Sequence, residues 1–165
     1  TDSKCVRWTT GGATDILTVE NPSYEGLTHR RTVWFVDREF FVIADEASGE
    51  AQGETALHYN LLECDPAEDT AACAVATRFG DGNNLLLKVF GAEKMERREG
   101  WVSRTYRNRT ERPAYAFTAH KKPGQTVRFV TVLLPAADAA AQRVVASWRG
   151  GKLHVEINGK KYELK

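Results

Sequence analysis

Short apolar runs recur along the whole chain, and clusters of Gly, Asn, Asp and Pro separate them. "KCVRW" reads as a first short strand. "DILTVE" alternates cleanly, which sets Ile16, Thr18 and Glu20 on one face and Leu17 and Val19 on the other. "NPSYEG" has the chemistry of a turn. "THRRTVWFVD" and "EFFVIADE" then predict a hairpin with Asp37, Arg38 and Glu39 at its tip. Neither run alternates strictly, so both faces carry apolar side chains. Such strands belong in the middle of a sheet that is covered on both sides. "ETALHYNLLE" is a further strand, and "DPAEDT" reads as a loop. "ACAVATRF" and "NLLLKVFGA" flank the turn "GDGN", whose glycines accept positive φ. "GWVSRTYRN", "PAYAFTAHKK" and "QTVRFVTVLLP" follow, the last two separated by Pro123-Gly124. The end is a meander, "SWRGGKLHVEINGKKYELK", with turns at Gly150-Gly151 and Asn158-Gly159. Only "AADAAAQR" has helical composition, and it is too short for more than about two turns.

The pattern predicts an all-β chain of about a dozen mostly antiparallel strands with no long helix. One open sheet cannot hide so many apolar faces. A two-sheet antiparallel β-sandwich is the expected architecture, with a barrel as the alternative. The 165 residues show no internal repeat and no low-complexity linker, so residues 1–165 read as a single domain. With 23 basic and 22 acidic side chains the formal charge is +1, which gives no reason to expect nucleic acid or a membrane surface. No apolar run reaches the roughly 20 residues of a membrane span. "TDSKCVRWTT" is neither a signal peptide nor a Met start, and reads like the interior of a longer protein. The cysteine count is odd: Cys5, Cys64 and Cys73. Cys64 and Cys73 either bridge "CDPAEDTAAC" in an oxidising compartment or, with Cys5, remain small buried thiols.

The histidines, at 29, 58, 120 and 154, have no metal-ligand spacing, and there is no Cys-x-x-Cys, so no metal site or cofactor is expected in this chain. There is no Gly-x-Ser-x-Gly elbow, and "GDGNN" lacks the features of a phosphate loop. "NRT" at Asn108 matches a short glycosylation sequon. Asp45 and Glu46 end a predicted central strand. They are either a carboxylate pair in a site or turn and cross-strand partners, Asp45 lying roughly opposite Arg31. Residues 95–113, "MERREGWVSRTYRNRTERP", hold six arginines against three glutamates. In the strand expected there, Arg104 and Tyr106 share one face and Trp101 and Arg107 the other. Guanidinium forks beside aromatic rings suit sulfate, carboxylate and a sugar face. The same composition equally makes a solvated edge that resists pairing. The substrate-binding candidates are Arg104, Tyr106 and Arg107, with His29 and Arg30 on the central hairpin.

"NPSYEGLTHRRTVWFVDREFFVIADEASGE", then "LHYNL", "RPAYAF" and "VRFVTVLLP", in that order, resemble the C-terminal β-sandwich of heparinase II/III-like polysaccharide lyases, nearest to the members that cleave heparan sulfate. The resemblance covers roughly residues 1–135. It implies a parent enzyme that cleaves a uronate-containing glycosaminoglycan by β-elimination, in the periplasm or outside the cell. It also implies a missing partner, an N-terminal α/α toroid that carries the catalytic tyrosine and an asparagine or histidine. Further family histidines lie on early strands in a His-Asn-Thr segment, which this sequence lacks. No catalytic residue is therefore carried over, and Tyr24 and Tyr59 match structural positions only. The chain is expected to be non-catalytic alone and to support or line the substrate groove. The alternative is a stand-alone carbohydrate-binding or structural sandwich.

Overall fold

The computed structural model describes residues 3–165, and all sixteen of its strands pair antiparallel. The first four form a meander: β1 (Lys4–Thr9), β2 (Thr14–Tyr24), β3 (Leu27–Val36) and β4 (Phe40–Ser48). β13 (Val127–Pro135), β8 (Leu85–Phe90), β7 (Ala74–Ala76) and β6 (Ala67–Asp69) extend it into an eight-stranded sheet in the order β1-β2-β3-β4-β13-β8-β7-β6. The tip of the central hairpin falls where the sequence predicts it. Asp37 and Arg38 both take positive φ there, and the Glu39 amide donates to the Val36 carbonyl at 2.9 Å. "NPSYEG" is less of a turn than its composition suggests. β2 runs on through a register shift between Asn21 and Tyr24, and the reversal is left to Glu25 and Gly26.

The two faces of this sheet are covered by different layers. On one, the row Trp8–Leu17–Val33–Ile43–Thr131–Val89 runs across the strands. Part of that face packs on a three-stranded sheet, β5 (Gly53–Asn60), β12 (Ala114–Lys121) and β9 (Lys94–Arg98), through Leu57, Met95, Tyr115, Phe117, Phe129 and Leu87. Three polar pegs join these layers: Tyr59 Oη donates to Thr131 Oγ1 at 3.0 Å, Tyr115 Oη to Glu68 at 2.6 Å, and Arg97 to the same carboxylate at 3.0 Å. This pair of sheets is the expected sandwich. The terminal meander adds a third layer on the opposite face: β14 (Val144–Arg149), β15 (Lys152–Ile157) and β16 (Lys160–Leu164). It buries Leu153, Val155 and Leu164 against Trp34, Val36, Phe40 and Val42. Each such fully buried side chain contributes about 1.5–3 kcal/mol, so the meander is held mainly by its apolar inner face. Both of its turns are two-residue loops with positive φ at both positions, Gly150-Gly151 and Asn158-Gly159, as their sequences require.

The expected cover on both faces of β3 and β4 is only half met: Trp34, Val36, Phe40 and Val42 are buried under the terminal meander, whereas Val33, Phe35 and Ile43 on the other face are half-buried and Phe41 is 38% exposed. Three further expectations need correcting. "DPAEDT" is not all loop, because Ala67–Asp69 pairs with Ala74–Ala76. "AADAAAQR" forms turns and no helix, since so short a stretch cannot offset the cost of nucleation. "GWVSRTYRN" is not one strand: β10 (Trp101–Thr105) reverses at Tyr106-Arg107 into β11 (Asn108–Glu111), a separate two-stranded ribbon.

Candidate functional site

The five candidates lie in three places. His29 and Arg30 are neighbours on β3 and therefore face opposite sides of the main sheet. Arg104, Tyr106 and Arg107 belong to the β10–β11 ribbon. There, Arg104 is clamped by Glu63, with Nε at 3.1 Å and Nη2 at 2.7 Å from its two oxygens. The contact holds the Glu63 carboxyl below its usual range. Tyr106 is 89% exposed at the ribbon tip, and the Arg107 guanidinium lies 5.2 Å from its ring centre. The proposed sharing of faces beyond Thr105 is lost at the reversal. Three more arginines of this segment are engaged, Arg97 with Glu68, Arg98 with Glu96 at 2.7 Å and Arg109 at 4.3 Å from the Trp101 ring centre, whereas Arg112 Nε is buried without a hydrogen-bond partner. The solvated-edge reading describes the segment well, with β9 at the edge of its sheet.

His29 belongs to a more constructed site. Arg31 and Asp45 are register partners across the β3–β4 hairpin, as their spacing predicts. Asp45 is 2% exposed, and its Oδ1 accepts from Arg31 Nε at 2.7 Å and His29 Nε2 at 2.6 Å. Burial pushes the Asp45 carboxyl up, but the bonds and charges of His29 and Arg31 outweigh it and hold the pKa below the usual value. Burial likewise works against the Arg31 charge, and Asp45 more than compensates. With an ionised carboxylate as acceptor, His29 donates from Nε2. Asp45 Oδ2 is buried without a hydrogen-bond partner. These groups line a pocket of about 460 Å³ with Tyr24, Glu54 and His58, where β3 and β4 meet β5.

Arg30 lies on the other face in a ladder of alternating charge. The register Lys4–Glu20–Arg30–Glu46–Arg128 crosses five adjacent strands. Arg30 Nε is 3.0 Å from Glu20 and Arg128 Nε is 2.6 Å from Glu46. So the Asp-Glu pair does not act together: Asp45 and Glu46 serve opposite faces. The ladder floors a cleft of about 570 Å³ beneath the terminal meander. No group of three or more His, Cys, Asp or Glu side chains suited to a metal occurs among the described residues. All three thiols are free, Cys73 buried and Cys5 exposed, and burial pushes the Cys64 and Cys73 thiols up.

Two buried groups escaped the sequence reading. Lys121 is 1% exposed, and its ammonium donates to the carbonyls of Gly49 at 2.5 Å, Ala51 at 2.7 Å and Lys122 at 3.2 Å. The signal was present: Lys121 continues the inward row Tyr115, Phe117, Ala119. Asn84 accepts from the Phe79 amide at 2.6 Å and donates to Ala137 O at 2.9 Å, closing the "GDGN" turn. Nothing in local spacing marks it.

Residues 2–145 match the family model described as heparinase II/III-like, C-terminal. The chain belongs to that family. A heparin-sulfate lyase of Bacteroides stercoris is 36% identical over 99% of this chain, and one of Pedobacter heparinus is 35% identical over 93%. The chain spans 26% and 25% of their lengths. Among solved structures, a heparinase III superposes with a TM-score of 0.94 at 36% identity, over 99% of this chain and 27% of that one. A heparan sulfate lyase from Pedobacter heparinus gives 0.91 at 33% identity, over 98% and 27%.

Proposed function

We propose that this chain is the C-terminal β-domain of a polysaccharide lyase that cleaves heparan sulfate-like, uronate-containing glycan by β-elimination. The observation that carries the reading is the likeness over nearly the whole chain, at 36% identity and a TM-score of 0.94, to one terminal quarter of a heparinase III. In that reaction a cationic or hydrogen-bonding group neutralises the uronate carboxylate, a base takes the proton at C5, and the bond at C4 breaks. The reading assigns the base to an N-terminal α/α toroid and gives this domain the work of supporting or lining the groove, without a cofactor of its own. Tyr59 and Tyr115 fit that division. A tyrosine acts as a base only as phenolate, yet burial raises the pKa of Tyr59, and burial with the Glu68 carboxylate raises that of Tyr115. His29 spends its Nε2 on Asp45. The Asp45 pocket, with His29 and Arg31 half-exposed, is the part of the domain best built to meet an acidic sugar. A periplasmic or secreted location goes with so large and charged a substrate. The test is turnover by a longer polypeptide that contains this chain. Absorbance from unsaturated product should rise with heparan sulfate and stay flat with a neutral glucan. No product from any uronate glycan would overturn the reading.

A further inference from the structure

The main sheet and the terminal meander are not zipped together along their whole length. They close where Trp34 and Val42 meet Leu153 and Leu164, which are all buried. They gape one strand-row beyond Ala44 and Thr32, over the charged row Arg30–Glu46–Arg128. Trp148 marks the opening. It follows Val144 and Ala146 on the inner face of β14, yet it is 40% exposed. An inner-face indole left half in water beside a cleft is unusual in a meander held by its apolar inner face.

The cleft is also charged in one direction. Arg7, Arg30, Arg128, Arg149 and Lys165 line it, against Glu46 and the α-carboxyl of Lys165. Arg30 and Arg128 are neutralised by Glu20 and Glu46. Arg7 is engaged: its Nη1 donates to the α-carboxyl oxygen of Lys165, the last residue of the sequence, at 2.9 Å, and its Nε to Thr9 Oγ1 at 3.4 Å. Arg149 has no carboxylate partner among the described residues. Beside it, Gly150 and Gly151 present no side chain, and the space where a Cβ would sit is open at both. A flat indole, the Arg149 guanidinium without an acid and a bare turn form one wall of a cleft within the size range of ligand sites.

We propose that this cleft binds an anionic saccharide segment, with a sugar ring against the Trp148 face and a sulfate or carboxylate group on Arg149. The site lies on the opposite face of the sheet from the Asp45 pocket, so it holds the polysaccharide at a second place. A saccharide fits better than an acidic peptide, because a flat ring matches the exposed Trp148 face and sugar hydroxyls can donate to Glu46 on the floor. The inference rests on the polysaccharide reading of the domain.

The experiment is titration of this chain with a size-defined sulfated heparan-type oligosaccharide, read by calorimetry and by tryptophan fluorescence at low and physiological salt. Saturable, salt-weakened binding is expected, with a change in emission. Trp148→Ala should abolish that change, and both it and Arg149→Ser should weaken binding by about tenfold. Arg78→Ala, a surface arginine paired with Asp65 away from the cleft, should bind like the parent chain. Unaltered thermal unfolding of each variant separates lost contacts from lost fold. The proposal is overturned by no saturable binding at low salt, by equal binding of a neutral glucan, or by full affinity in both cleft variants. Binding through the cleft in a domain whose longer parent cleaves no uronate glycan would retire the lyase reading and leave the cleft standing.

Discussion

Removing the charge of Asp45 should cost this domain more than any exposed ion pair does. The Asp45→Asn substitution keeps the shape and one acceptor oxygen. It loses the charge that draws Arg31 Nε to 2.7 Å and His29 Nε2 to 2.6 Å. It also places amide protons where Oδ2 now lies buried with no partner. Charge-assisted bonds of this kind contribute about 1.5–3 kcal/mol each, and breaking a buried pair costs about 3–5 kcal/mol. Arg31 and His29 are more than a third exposed and recover part of their hydration. The expected net loss is therefore about 2–4 kcal/mol, or about 5–15 °C in Tm for a chain of this size. Urea unfolding at neutral pH reads it directly. The pH dependence has a definite sign. The folded carboxyl is held below its usual pKa, so the unfolded chain takes up the proton first. The stabilisation is complete above about pH 4 and is lost as pH falls through the folded value. The gap between parent and variant should close in acid. A loss under about 0.5 kcal/mol, the range of ordinary surface changes, would refute the reasoning.

Lys121→Met keeps the apolar stem but leaves the carbonyls of Gly49, Ala51 and Lys122 without their donor. It should cost about 2–4 kcal/mol in the same urea assay, with early hydrogen exchange in residues 49–51. Asn84→Ala should cost about 2–3 kcal/mol, since it frees both the Phe79 amide and the Ala137 carbonyl, and calorimetric melting checks it. Gly49→Ala forces a Cβ to within 2.3 Å of Gly26 O at a φ of +109°, so it should lower Tm clearly, whereas Gly53→Ala meets no atom within 4 Å and should lower it less. Raised pKa values at Tyr59 and Tyr115 mean that their stabilisation is complete below about pH 10 and drains above it. Phenolate absorbance should therefore show late-ionising tyrosines that titrate together with alkaline unfolding.

The sequence was most informative where one residue type has one physical use. Asn158-Gly159 and Gly150-Gly151 needed positive φ and took it, whereas the double-sided apolar runs of β3 and β4 are buried on the Trp34 face alone and leave Phe41 exposed on the other. The Arg31–Asp45 register followed from counting around a tight tip. The site was less legible, because adjacency in sequence is opposition in a strand. His29 and Arg30 read as one cluster and face opposite layers. The arginine-rich segment read as a single strand, and the Tyr106-Arg107 reversal has no Gly, Pro, Asn or Asp at its tip to announce it, Arg107 itself taking a φ of +62°. The cleft under Trp148 depends on the meander docking 100 residues or more downstream of the hairpin it covers (β14–β16 against β3), and no local pattern reports that.

The central claim is that this domain belongs to a lyase whose base lies elsewhere. The most direct measurement sets this chain alone beside the longer polypeptide that contains it, each with heparan sulfate, and follows the absorbance of unsaturated product. Turnover by the longer protein and a flat trace from the chain alone are expected. Sustained product from the 165 residues by themselves would contradict it.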